Sequence, residues 1–363
     1  MKRLGKIIYL IMFLFIVYFG FIHIVLDKTE YLNYENRNVY EIDFDYSQLF
    51  KQGVDDSLEK ALKDRLFRDV SSYYYTLLNE KLFFREFINN VRVKSPHIYD
   101  FTNHEKYSEL AIKNDHTDEV LKNILITKNN LKTENKEFVA ILVPSISSVY
   151  KHPKEILDPE VIDKKNAEYI YNFFEANDIN FINTREILTF DDFFTTDHHI
   201  NSKGANKILA RLSDILNDKG ISFSYDDDYN YKSHQFKGSR SRMISYLTET
   251  EEILEPIYNF NIKRYYDGHT DVNDFSNPSY VSYMCGDNKR TEIETDNNGP
   301  RVIIYGDSFS NVFESLILRS VKSMVSYDFR FGREDYADDA DVVILICAEN
   351  AFRLGEDYVR YLK

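Results

Sequence analysis

The sequence predicts an α/β fold with a mostly parallel sheet covered by helices on both faces, preceded by one transmembrane helix. Three observations carry that expectation. Short apolar or β-branched runs alternate along the chain with stretches whose apolar residues recur at three and four positions. Near the C-terminus, Arg301-Val302-Ile303-Ile304-Tyr305 is cut by Gly306-Asp307-Ser308 and followed by Phe309, Val312, Phe313, Leu316 and Ile317 at helical spacing, which reads as strand, tight turn and helix. At the other end, Ile7 to Leu26 contains no Lys, Arg, Asp or Glu, a length that spans the hydrocarbon core of a bilayer.

The elements follow in order. Lys2, Arg3 and Lys6 precede the apolar span and Asp27 follows it, so the positive-inside rule keeps the N-terminus cytoplasmic and puts residues 27–363 outside the membrane. No small-residue cleavage site follows the span, which is read as an uncleaved signal anchor within residues 1–26. Residues 27–95 form an expected stalk and amphipathic helix. The stalk is polar and tyrosine-rich, and from Ser57 the residues Leu58, Leu62, Leu66, Val70, Tyr73, Tyr74 and Leu77 mark one helix face. The main domain is expected over 96–363. Its first strand is Phe138 to Val143, ended by Pro144, followed by a helix from about Pro159 to Ala176 and a strand around Ile179 to Ile182. A helix starting near Ser202 turns Ala205, Ile208, Leu209, Leu212 and Leu216 inward. The later strands are Arg301 to Tyr305, Lys322 to Tyr327 and Asp341 to Cys347. Residues 221–300, dominated by Tyr, Asp, Asn and Ser, read as an insertion bearing loops over the site. Within it, Phe236-Lys237-Gly238-Ser239-Arg240-Ser241-Arg242 is either an anion-holding glycine turn or a basic surface turn.

Ser308 follows a strand end and opens a helix, where unpaired backbone N–H groups and the positive end of the dipole stabilise a developing oxyanion. Thr196-Asp197-His198-His199-Ile200-Asn201 supplies a base. Asp197 and His199 are two apart, so an extended backbone sends both side chains to one face and His198 to the other. A carboxylate beside an imidazole fixes its tautomer and stabilises the imidazolium formed when it takes a serine proton. The candidate triad is Ser308, His199 and Asp197. A metal site at Asp191, Asp192, Asp197, His198 and His199 ranks below it, because adjacent histidines do not easily face one ion. No metal and no cofactor is expected.

Composition narrows the function classes. Forty-five Lys and Arg against 59 Asp and Glu leave a net charge of −14, which argues against nucleic acid as a partner. Twenty-eight Tyr and 27 Phe with no Trp point to an aromatic core, with rings that also suit stacking on sugars. The two cysteines, Cys285 and Cys347, exclude a disulfide framework; whether they pair is open.

With these residues in place, the chain resembles the DHHW family of bacterial surface proteins and, more distantly, the periplasmic alginate O-acetyltransferases. Both catalytic blocks stand in the family's order, Asp-x-His before Gly-Asp-Ser-Phe. Further similarities are Glu35-Asn36-Arg37, Asp64-Arg65-Leu66-Phe67-Arg68-Asp69, Leu142-Val143-Pro144-Ser145, Phe236 to Ser239, Cys285-Gly286-Asp287-Asn288 and Asp328-Phe329-Arg330-Phe331. The resemblance implies a three-layer, flavodoxin-like SGNH-hydrolase fold. It makes Ser308 the nucleophile, His199 the base and Asp197 its orienting acid, with Gly238 as a second oxyanion donor and Asn201 and Arg330 at the substrate. One position departs: Ile200 stands where the family usually has tryptophan, a ring expected to flank the site. The implied activity is O-acetyl transfer to, or acetyl-ester hydrolysis of, a cell-surface polysaccharide, with acetyl groups delivered by a membrane-bound O-acyltransferase. The competing expectation is a non-catalytic, membrane-tethered glycan-binding protein.

Overall fold

The computed structural model describes residues 115–144, 149, 159–194, 196–225, 230–238, 250–265, 268–331 and 339–352, with Leu14, Tyr18, 31–32 and 37–38 nearer the N-terminus. The expected transmembrane span at 7–26 and the amphipathic helix from Ser57 lie outside the described residues, Leu14 and Tyr18 apart. No helix among the described residues is long and apolar enough to cross a membrane. The chain divides into two units, Met1–Ile98 with Ser239–Glu249, and Tyr99–Gly238 with Thr250–Lys363. In the first, Tyr31–Leu32 pairs antiparallel with Arg37–Asn38, within the stretch expected to be an irregular stalk.

The second unit is a mixed α/β structure. Helix α1 is Asp115–Thr133, followed by strand β1, Glu137–Val143. Helix α2, Pro159–Ala176, leads to β2, Asn180–Ile182, and helix α3 is Ser202–Asp218. Strands β3, Tyr231–Phe236, and β4, Glu251–Pro256, form a separate antiparallel pair. Then come β5, Ile262–Tyr265, β6, Arg290–Thr295, and β7, Arg301–Gly306. Helix α4, Asn311–Ile317, β8, Ser323–Asp328, and β9, Val342–Ala348, complete it.

Seven strands make one sheet in the order β2-β1-β9-β7-β8-β6-β5. The first five are parallel, and β6 and β5 join antiparallel at the edge. The segment 221–300, expected to be an insertion bearing loops over the site, supplies these two edge strands and the β3–β4 pair. Their side chains are buried only in part, and those of β5 alternate between partly buried and exposed. Such strands lack the continuous apolar run that marks a doubly covered one.

Alternation along the central strands builds two cores. Val139, Ile141 and Val143 of β1 face Ile208, Leu209 and Leu212 of α3 and Phe313 and Leu316 of α4. Phe138, Ala140 and Leu142 face the other way, onto Val120, Leu121 and Ile124 of α1 and Ile170 and Phe174 of α2. The expected inward stripe of α3 is fully buried at Ala205, Ile208, Leu209, Leu212 and Leu216, and each such leucine or isoleucine contributes about 1.5–3 kcal/mol. Parallel strands covered on both faces leave their carboxyl ends as the place where loops converge. Ser308 stands two residues beyond the end of β7.

Candidate active site

The Ser308 turn is built by its neighbours. Ser308–Ser310 forms one 3₁₀ turn that runs into α4, with Asp307 as its cap. The Asp307 carboxylate accepts from the N–H of Phe309 at 2.9 Å and from the N–H of Ala348, at the end of β9, at 3.1 Å. It thereby ties the turn to the adjacent strand. Ser310 Oγ lies within hydrogen-bond distance of both the Asp307 carbonyl oxygen, at 2.8 Å, and Glu314 Oε1, at 2.5 Å. This close return explains Gly306, where an added Cβ would lie 2.6 Å from Ser310 Cβ.

The second block arrives on a narrow antiparallel excursion. Phe193 bridges Ile200, Phe194 N–H donates to the His199 carbonyl at 3.0 Å, and Asn201 N–H donates to the Asp192 carbonyl at 2.9 Å. Asp197, His198 and His199 occupy the tip. Asp197 Oδ1 accepts from the backbone N–H of His198 at 2.8 Å and of His199 at 3.3 Å, and lies 2.6 Å from His199 Nδ1. His199 Nε2 is 3.0 Å from Ser308 Oγ. Asp197 and His199 are buried, whereas the His198 side chain is 39% exposed. Two segments remote in sequence thus meet in one hydrogen-bonded row of alcohol, imidazole and carboxylate.

The other site residues expected from sequence are engaged within the fold. Gly238 N–H donates to Thr196 Oγ1 at 2.9 Å rather than standing ready for an oxyanion. Glycine is required there for closeness, since a Cβ would lie 2.1 Å from the Thr196 carbonyl oxygen. Thr196 is held in turn by Glu251, whose Oε1 accepts from its N–H at 2.6 Å and its hydroxyl at 2.5 Å. Asn201 caps α3: its Oδ1 accepts from the N–H groups of Lys203 and Gly204, and its Nδ2 donates to the carbonyls of Asp191 and Phe193. That set uses the whole amide to fix the loop, leaving no group for a substrate.

Arg330 pairs with Asp287 at 2.6 Å and grips Asp328 through Nε and Nη2. Burial opposes its charge, but the hydrogen bonds to Asp328 and the charges of Asp287, Asp328 and Asp307 outweigh that and hold it protonated. Ile200, the position expected to flank the site with a ring, is fully buried in the core. Residues 239–242 of the basic turn lie outside the described residues.

Two buried carboxylates lie behind the Ser308 turn, Asp307 of the Gly-Asp-Ser block and Glu314, which has no sequence signal. Burial pushes Asp307 up to about 6, against the lowering effect of the Ala348 N–H and Arg330. Burial likewise pushes Glu314 up to about 7, partly offset by hydrogen bonds from Ser310 and Ser326. Both line a small polar pocket with Asp287, Asn311, Ser326 and Asp328. Tyr280, unremarkable in sequence, lies flat against His199 with ring centroids 3.6 Å apart and planes 1° from parallel.

One ligand atom each from Asp197, His198 and His199 lies within 4.8 Å of the others, a spacing compatible with a metal ion. Asp197 Oδ1 and both nitrogens of His199 are already in the hydrogen-bonded row. Cys285 and Cys347 are not joined in a disulfide, and Cys347 is fully buried.

The sequence matches no family model and no curated protein. Solved structures do match. A DHHW family protein from Eubacterium siraeum superposes with a TM-score of 0.57 at 16% identity, over 68% of this chain and 89% of that one. Bacillus cereus PatB1 gives 0.54 at 19% identity, over 69% and 94%. PatB1 with a sulfonyl adduct gives 0.56 at 20% identity, over 70% and 96%. The chain therefore has the fold that a DHHW family protein and PatB1 share, in keeping with the resemblance carried by its motifs.

Proposed function

We propose that this chain is an SGNH-hydrolase-type O-acetyltransferase or acetylesterase, anchored by residues 7–26 and acting outside the membrane on a cell-surface polysaccharide. The observation that carries the reading is the row Ser308–His199–Asp197 at the carboxyl end of a central parallel strand. His199 Nε2 takes the Ser308 proton as Oγ attacks the carbonyl carbon of an acetyl ester. The Ser308 backbone N–H, at the start of a helical run, stabilises the oxyanion. Collapse of the tetrahedral species expels the donor alcohol, which leaves with the proton from His199, and acetyl-Ser308 remains. An acceptor hydroxyl of the polysaccharide, deprotonated by His199, then takes the acetyl group; water in its place completes hydrolysis. Asp197 stabilises the imidazolium in both halves. A membrane-bound O-acyltransferase supplies the acetyl donor.

Full-length chain purified in detergent should release p-nitrophenol from p-nitrophenyl acetate, and Ser308→Ala should lose at least about a thousandfold of that rate. The engagement of Gly238 N–H by Thr196 favours, as the second reading, a tethered glycan-binding protein. Equal release by wild type and Ser308→Ala, with glycan binding intact in both, selects that reading instead.

A further inference from the structure

His199 is held by more than hydrogen bonds. Tyr280 overlies one face, and the His198 ring lies 3.8 Å away by centroid at an interplanar angle of 37°. Aromatic pairs usually sit 4.5–7 Å apart by centroid, and two rings this near one imidazole cannot share a face, so they sandwich it. Tyr280 is buried and is itself wedged edge-on by Phe194 and Tyr283, at 6.2 and 5.9 Å. The Tyr283 hydroxyl donates to the Leu254 carbonyl at 2.7 Å, which anchors the stack to β4. Phe309, beside the nucleophile, adds a tilted contact to His199 at 4.7 Å.

Asp197 fixes Nδ1 throughout, but once Ser308 Oγ is acylated that one bond alone leaves the ring able to swing. Turning the imidazole away from Ser308 means displacing a ring on each face.

We propose that Tyr280 and His198 are positioning residues that clamp the His199 imidazole from both faces and keep Nε2 on Ser308 Oγ through both proton transfers. The inference rests on the catalytic reading above for its consequence in rate, but the clamp itself is a property of the folded chain. An ångström of misplacement at a reacting group is enough to cost about a hundredfold in rate. Removing either wall should therefore slow chemistry without touching a reacting atom, and a replacement that restores a ring should restore it.

The test uses the full-length chain in detergent with four variants: Tyr280→Leu, Tyr280→Phe, His198→Ala and His198→Phe. The acylation rate is followed with p-nitrophenyl acetate at a temperature where each variant is folded by thermal melt. In parallel, proton NMR follows the far-downfield Nδ1 proton of the carboxylate-bound His199. Tyr280→Leu and His198→Ala should each slow acylation about tenfold or more, and both Phe variants should stay within about threefold of wild type. The Nδ1 proton line should be sharp in wild type and the Phe variants and broadened or lost in the other two. A rate and a line that survive both Tyr280→Leu and His198→Ala overturn the clamp. His198 is partly exposed, so its pair of variants decides the matter if Tyr280→Leu does not fold. If wild type itself hydrolyses nothing, the catalytic reading fails, and the NMR line still decides whether the ring is clamped.

Discussion

Asp197→Asn removes a charge from the centre of the row and leaves its shape almost unchanged. Asp197 and His199 are both buried, and the carboxylate lies 2.6 Å from His199 Nδ1. When His199 takes the serine proton, opposite charges form with centres about 4 Å apart. At an effective dielectric of about 20 their attraction is about 4 kcal/mol, or roughly three decades of rate. The amide oxygen of Asn still accepts the backbone N–H bonds from His198 and His199, so the loop should stay folded. The assay is kcat/KM for p-nitrophenyl acetate together with a thermal melt of the same preparation. An expected loss of about a thousandfold with a near-native melt supports an imidazolium in the transition state. A folded variant that keeps activity within about tenfold of wild type refutes the reasoning, because the carboxylate then stabilises no charge there.

Three further outcomes follow from the packing around the row. Gly238→Ala drives a methyl to 2.1 Å from the Thr196 carbonyl oxygen, and a thermal melt should show a loss of about 1–3 kcal/mol together with reduced hydrolysis. Asn201→Ala should cost about 1–2 kcal/mol through the lost cap of α3 while leaving KM unchanged; a raised KM with an unchanged melt would mean that the amide meets substrate. Glu314, raised from an ordinary 4.5 to about 7, binds its proton more tightly folded than unfolded. Its contribution is present below pH 4.5 and is lost as pH rises through 7. Glu314→Gln should therefore gain about 2–3 kcal/mol relative to wild type between pH 4.5 and 7.5, measured by melts across that range. A gap that stays constant with pH contradicts the assignment.

The parallel half of the sheet was legible because β1, β7 and β9 are buried on both faces and read as unbroken apolar runs. The Asp-His-His and Gly-Asp-Ser blocks were legible for a different reason, as polar side chains set beside strand and helix signals. The edge strands β5 and β6 were not, since a half-exposed strand such as Ile262–Tyr265 carries two charged residues in four. Helix α1 also escaped notice: its apolar residues are interspersed with Asp, Lys and Asn, and packing of Val120, Leu121 and Ile124 in the core beside β1 rather than strong amphipathicity holds it. The resemblance puts Gly238 at the oxyanion and Asn201 at the substrate, whereas their hydrogen bonds in the fold go to the loop. A glycine demanded by a backbone 2.1 Å away and one lying against a ligand look alike in sequence. Tyr280 had no sequence signal, because its place on His199 depends on a turn 81 residues away finding the same pocket.

The central claim is that Ser308 becomes covalently acylated with the help of His199. Intact-mass spectrometry after rapid acid quench of the full-length chain with p-nitrophenyl acetate, followed by peptide mapping, addresses it directly. One acetyl group should appear on the peptide holding Ser308, fail to form in Ser308→Ala, and form slowly in His199→Ala. An acetyl group absent from that peptide, or carried equally by all three proteins, contradicts the account.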